Sequence, residues 1–271
     1  MNRELGRGVP SDRVVTLNVE DGIGLLVLNR PNDGNPIDKA FIDAFEEATC
    51  ACGDDKSVRA VLISARGRRF SVGGDIRGFT ENRDELAGKI RKWNASLNGS
   101  VARLHRGNAP TVAAVHDVVA GGALSIISGC DIIVASETAR FVAAYANIGY
   151  CPDLGGTINL VRRMGLARAR RFHLLHETLD ARQALDSGLV DVVVPKNQVL
   201  ERAEEIARKW AAGPTLAYGE IRRLMQDAHA ATLETQLEAE TRSLVSLVQT
   251  EDAWEALTAF LGKRTPQYSG R

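Results

Sequence analysis

The chain has 271 residues, 44% hydrophobic and 25% charged, enough for a large domain with its own core. Its 34 lysines and arginines balance 34 aspartates and glutamates, so the charge gives no case for a nucleic-acid or membrane-surface partner. The four cysteines (Cys50, Cys52, Cys130, Cys151) have neither metal-ligand nor paired spacing and read as reduced thiols.

In chain order, residues 1–10 are polar and lack the apolar run of a secretory signal, and no later stretch is long and apolar enough to span a bilayer. A cytoplasmic protein is expected. Residues 14–19 and 23–28 are β-prone runs around Glu20-Asp21-Gly22, a hairpin signal. Asp38 can cap a helix with Phe41, Ala44, Phe45 and Ala48 on one face. Residues 60–64 (AVLIS), 111–115 (TVAAV) and 131–135 (DIIVA) read as buried strands, and a last strand falls within 189–195. Residues 81–105 are helical in pattern but highly polar, so part of this segment is expected to move. Beyond 195 the pattern is helical over 198–210, 215–229, 232–249 and 252–262, with Gly213-Pro214 separating the first two. The alternation of short apolar strands and helices predicts an α/β core over residues 1–195, with much parallel pairing, and a helical region over 196–271.

Two segments carry paired glycines where catalysis could use them. In Phe70-Ser71-Val72-Gly73-Gly74-Asp75-Ile76 an apolar residue ends a strand, and the glycines let the backbone turn sharply against a ligand. In Val119-Ala120-Gly121-Gly122-Ala123-Leu124 the glycines open a helix, whose first N–H groups are unpaired and lie at the positive end of its dipole. Such amides suit an oxyanion, although either pair alone could equally be a tight turn. No histidine has the partners of a metal site; His173 and His176 are three apart without further ligands. No G-x-G-x-x-G follows the first strand, which sets aside a nucleotide-binding dehydrogenase. Arg162, Arg163, Arg168, Arg170 and Arg171 are spread around helices as a solvated face, His116 reads as structural, and Cys151 as a pocket-lining residue.

The strings F-S-V-G-G-D-I, then A-G-G-A-L-S-I-I-S-G-C-D-I-I-V-A, then I-G-Y-C-P-D-L-G-G-T together resemble the crotonase superfamily, the enoyl-CoA hydratase/isomerase family, and the likeness runs over nearly the whole chain. The resemblance implies a spiral of ββα units with a helical C-terminal trimerisation region, and a homotrimer or dimer of trimers. It implies an acyl-CoA thioester substrate, with coenzyme A part of that substrate and no separate cofactor or metal. It carries the oxyanion-hole amides onto Gly74 and Gly122, and substrate contacts onto Val72, Ile76, Val118 and Gly121 around them. Arg68 and Arg77 resemble family positions for the nucleotide of CoA, and Phe260 and Lys263 resemble a segment that reaches a neighbouring subunit's CoA.

The acid/base equipment departs from the hydratase pattern. A typical hydratase has glutamates where this chain has Ser125 and Tyr145, whose ordinary pKa values do not replace a carboxylate that activates water. Asp153 stands where hydratases usually have glycine. The resembling position carries a catalytic aspartate in dienoyl-CoA isomerases, aryl-CoA dehalogenases and ring-epoxide isomerases, and F-V-A-A-Y-A-N-I-G-Y-C-P-D-L-G-G-T is most similar to the last group. The expectation is an acyl-CoA isomerase with Asp153 as proton shuttle. The alternatives are a hydratase using Asp153 alone or with a loop acid (Glu81, Asp84 or Glu85), a nucleophilic Asp153, and a non-catalytic acyl-CoA-binding protein. Asp153 could also merely cap a helix beginning near Gly155.

Overall fold

The structure, a computed structural model, describes residues 13–271. Strands β1 (Val15–Glu20) and β2 (Ile23–Leu28) form the expected antiparallel hairpin. Asp21 (φ 50°) and Gly22 (φ 78°) both take the left-handed conformation, which fits a two-residue turn whose twist matches the strands. Helix α1 (Lys39–Asp54) follows and completes a ββα unit; Asp38 caps it by accepting from the Phe41 N–H, and Phe41, Phe45 and Ala48 are buried. The chain continues through β3 (Ala60–Ala65), α2 (Ile76–Thr80), α3 (Arg83–Arg106), β4 (Thr111–Val115), β5 (Val118–Ala120) and α4 (Gly121–Ser128). It then forms β6 (Ile132–Ser136), β7 (Arg140–Val142), α5 (Gly156–Met164), α6 (Leu166–Leu174), β8 (Thr178–Asp180), α7 (Ala181–Asp186) and β9 (Val192–Val194).

The main sheet has the order β1-β2-β3-β4-β6-β9, parallel throughout except for the β1–β2 hairpin. Both faces of its central strands are covered, which is why AVLIS and TVAAV are unbroken apolar runs rather than alternating ones. One face packs on a cluster that includes Phe41, Phe45, Ile63 and Ile127. Against the other lies α8 (Val199–Ala211), through Val199, Ala203, Ala207 and Ala211. The row of small side chains fits α8 closely over Leu62, Val112 and Val134. This helix therefore belongs to the core, although it lies beyond the boundary expected at residue 195.

A second sheet, β5-β7-β8, joins strands of three residues each that the sequence pattern does not announce. The last helices are α9 (Thr215–Asp227), α10 (Leu233–Leu247) and α11 (Glu251–Leu261). Arg222 anchors α9: its buried guanidinium donates to Asp131 Oδ1 at 2.9 Å and to the Leu104 and Ala109 carbonyls. No described helix is long and apolar enough to cross a membrane. All four thiols are free.

Candidate active site

The first glycine turn is clamped from two sides. Ser71 pairs with Val119 of β5: its N–H donates to the Val118 carbonyl at 3.0 Å, and its own carbonyl accepts from the Ala120 N–H at 3.2 Å. Its hydroxyl accepts from the Gly73 N–H (3.1 Å) and donates to the Asn35 carbonyl (2.7 Å). Asn35 is buried with φ 51°, and its side-chain amide donates to the carbonyls of Arg66, Arg69 and Phe70. On the other side, the Ile37 N–H donates to the Gly73 carbonyl (2.8 Å) and the Ile37 carbonyl accepts from Asp75 (3.0 Å). That alternation leaves the intervening Gly74 N–H outside the ladder, and it has no acceptor among the described residues.

The second turn is the start of α4. Gly121 (φ 51°) takes β5 into the helix with no side chain capping it, so the Gly122 N–H is one of the unpaired first-turn donors at the positive end of the dipole. The two turns touch. A Cβ placed on Gly121 would stand 3.7 Å from Gly73 Cα and 4.0 Å from the Gly74 nitrogen.

Both turns open onto one cavity of about 760 Å³. Gly74, Gly121, Gly122, Tyr145 and Asp153 line it, together with Phe79 of α2 and Leu86, Ile90 and Trp93 of α3. The Phe79 ring stacks with Trp93 (centroids 5.9 Å apart) and with Tyr150 (6.1 Å). Tyr145 begins a short 3-10 turn, Tyr145–Ile148, that Gly149 closes in the left-handed conformation (φ 73°). The chain thereby doubles back, and the Tyr145 phenol donates to Asp153 Oδ1. Ser125 Oγ lies 3.2 Å from the phenol oxygen. The single phenol proton is committed to Asp153, so Ser125 is the donor in that second bond. Burial, and then the negative charge of Asp153, push the Tyr145 phenol up, so it stays protonated across ordinary pH. A Cβ at Gly122 would lie 3.7 Å from the phenol oxygen, which puts this chain of hydroxyls beside the second turn.

Asp153 does not cap α5, which corrects one sequence-based alternative. The N-cap is Gly155, in the left-handed conformation (φ 78°) with no side-chain bond, and Asp153 contributes only its backbone carbonyl, to the Gly156 N–H. Its carboxylate is left to the cavity.

Of the residues singled out by sequence, Val72, Gly74, Ile76, Gly121, Gly122, Tyr145, Cys151 and Asp153 meet at the cavity. Ser125 is buried behind Tyr145. Val118 supports the first turn through its carbonyl and does not line the cavity. Arg68 and Arg77 are exposed beyond its walls, as are Phe260 (82% exposed) and Lys263. Glu81, Asp84 and Glu85 are also exposed and line none of it; Arg83 is the charged residue of that segment that does. The expected mobile stretch is helical over most of its length. Sequence reasoning missed the aromatic wall. Its signal was present: Leu86, Ile90, Trp93 and Leu97 recur at helical spacing within a polar segment. Among the described residues no group of His, Cys, Asp or Glu could hold a metal ion.

A family model for enoyl-CoA hydratase/isomerase matches residues 18–271. The chain is 33% identical over 257 residues to the 1,2-epoxyphenylacetyl-CoA isomerase of Escherichia coli strain K12, covering 93% of this chain and 97% of that protein. It is also 33% identical, over 247 residues, to the 2,3-dehydroadipyl-CoA hydratase of the same organism, covering 91% and 95%. Among solved structures, an enoyl-CoA hydratase from Polaromonas sp. JS666 matches with a TM-score of 0.88 at 30% identity, covering 94% of this chain and 99% of that one. The α/β fold expected from the sequence is the fold these relatives share.

Proposed function

The chain belongs to the enoyl-CoA hydratase/isomerase family of the crotonase superfamily, a family of enzymes, and within it we propose an acyl-CoA isomerase that moves a double bond with Asp153 as its proton shuttle. Relatives named as an isomerase and as a hydratase are equally similar overall, so identity does not choose between the reactions. The observation that carries the reading is the acid count: among the described residues, Asp153 is the one carboxylate lining the cavity that holds both glycine turns. Hydration needs a water activated and a carbon protonated in concert, and the positions of the two hydratase glutamates hold Ser125 and Tyr145, which are bonded to each other, with Tyr145 bonded in turn to Asp153. Moving a double bond needs only one base, because the proton it removes is the proton it returns.

In this mechanism the Gly74 and Gly122 N–H groups donate to the thioester carbonyl oxygen as it becomes an enolate. One such donor is worth about 10²–10³ in kcat. Asp153 takes a proton from carbon, the C–H electron pair moves into the conjugated enolate, and the same acid returns the proton at another carbon as the enolate collapses.

We also read Leu237, Leu244 and Val248 around α10, with Trp254, Leu257 and Leu261 on α11, as the apolar surface through which copies associate into a trimer or dimer of trimers. Phe260 and Lys263 would then reach a neighbour's CoA, and Arg68 and Arg77 would face its nucleotide.

The test is to incubate the protein with 3-enoyl-CoA and with 2-enoyl-CoA and follow the ultraviolet absorbance of the conjugated thioester. Double-bond migration without water addition is expected, and Asp153→Asn should slow it by about 10²–10⁴. Hydration that survives Asp153→Asn would sink the mechanism. Binding of acyl-CoA without turnover of any kind would leave a non-catalytic binding protein.

A further inference from the structure

We infer that Tyr145 is a positioning residue: it commits Oδ1 of Asp153 to a hydrogen bond and leaves Oδ2 as the oxygen that carries the shuttled proton. The inference rests on the isomerase reading above and adds to it the identity of the working atom.

Three observations support it. First, the bond runs from phenol to carboxylate, and the phenol oxygen is itself backed by Ser125 at 3.2 Å, so the donor cannot easily swing away. Second, the local packing is shaped around this chain of hydroxyls. A Cβ at Gly156 would stand 2.3 Å from Ser125 Oγ, so only glycine leaves that hydroxyl its place. Third, among the described residues the titratable side chains that share the cavity wall with Asp153 are Arg83 from α3 and Tyr145, Tyr150 and Cys151 from its own segment. Of these, Tyr145 alone is hydrogen-bonded to it.

The chemistry follows from the donor count. A carboxylate free to rotate about its Cβ–Cγ bond can take a proton on one oxygen and turn it away from the substrate. With Oδ1 held by a donor that stays protonated, Oδ2 accepts the substrate proton and faces the enolate until it gives the proton back. The phenol keeps its own proton throughout, so one proton moves from carbon to Oδ2 to carbon and nothing else changes hands.

The experiment uses the full chain and two variants, Tyr145→Phe and Ser125→Ala. With a 3-enoyl-CoA substrate, Tyr145→Phe should lower kcat by about 10-fold to 100-fold, from the loss of a hydrogen bond to a charged group, and change KM little. Ser125→Ala keeps the ring and should lower kcat the same way by less, so it carries the test should Tyr145→Phe fail to fold, as judged by circular dichroism. With substrate deuterated at the carbon that loses its proton and the reaction run in ordinary water, the wild type should return much of the label to the product. Tyr145→Phe should return several-fold less, because a carboxyl free to turn away exchanges its proton with solvent. A lower kcat with label return unchanged in both variants would reduce Tyr145 to a packing role and overturn the proposal. A wild type that isomerises no acyl-CoA overturns the reading on which it rests.

Discussion

Gly73 lies so close to Ala120 that a Cβ on Gly73 would stand 2.8 Å from the Ala120 carbonyl oxygen. Gly73 also has φ 86°, a conformation that costs an L-residue roughly 1–2 kcal/mol. Alanine at this position would therefore push the two glycine turns apart at the point where, in the proposed mechanism, their amides converge on one oxygen. Gly73→Ala should leave a folded protein whose kcat/KM for a 3-enoyl-CoA falls by about 10² or more, comparable to losing one oxyanion donor. Steady-state kinetics beside a urea melt separates the two effects. Full activity in the variant would mean that the turns need not touch.

The part of the cavity lining that comes from α2 and α3 is largely apolar and aromatic, and Arg83 is its one cation among the described residues. An acyl chain ending in a carboxylate would bury that charge against Phe79, Trp93 and Tyr150 with one partner available near the start of α3. An ionised carboxylate taken out of water costs far more than a neutral polar group unless it is fully paired and hydrogen-bonded. An apolar or aryl 3-enoyl-CoA should thus be preferred over an ω-carboxyl analogue of equal length by about tenfold or more in kcat/KM. Equal rates, lost on Arg83→Met, would show instead that Arg83 selects a dicarboxylyl group.

How much of this could be read from the residues alone depends on the range of the interaction. The β1–β2 hairpin and the Asp38 cap were legible because Asp21-Gly22 and Asp38 act within a few residues of themselves. The glycine pairs marked the two turns for the same reason. The small β5-β7-β8 sheet was not legible, since three-residue strands are too short to show a period. The role of α8 was hidden by its row of alanines, which reads as a weak apolar face until the sheet beneath it is known. Least legible was the Tyr145–Asp153 bond. Sequence placed both residues near the chemistry, but their contact depends on how the chain reverses at Gly149, which no local pattern specifies.

His105, His116 and His173 all have pKa values lowered from the usual 6.5, in each case first by burial. For His105 the cationic Arg222 is the next contribution, and for His116 Lys196 acts in the same direction against its bond to the Gly67 carbonyl. The unfolded chain therefore binds protons more readily than the folded one as pH drops below 6.5, and stability falls from there through the folded-state values. The urea midpoint should be lower at pH 5.5 than at pH 7.5, and His105→Gln should shrink the difference. A midpoint independent of pH across this window would contradict the assignment of these rings as neutral in the folded state.

Arg222 offers the sharpest test of what ties the C-terminal helices to the core. Its side chain is 8% exposed, and besides Asp131 it satisfies carbonyls at the end of α3 and in the approach to β4. Methionine would keep much of its apolar stem but leave Asp131 Oδ1 and those carbonyls without a donor. Removing one partner of a buried pair costs about 3–5 kcal/mol. Arg222→Met should lower the unfolding free energy by about that amount, while the folded fraction keeps its kcat, because no atom of the cavity is touched. The exposed i,i+4 pair of Arg242 and Glu238, 3.7 Å apart on α10, is the internal control. Arg242→Met should change stability by no more than about 0.5 kcal/mol. Similar losses for the two variants would mean that α9 is held by its apolar contacts, with the guanidinium contributing little.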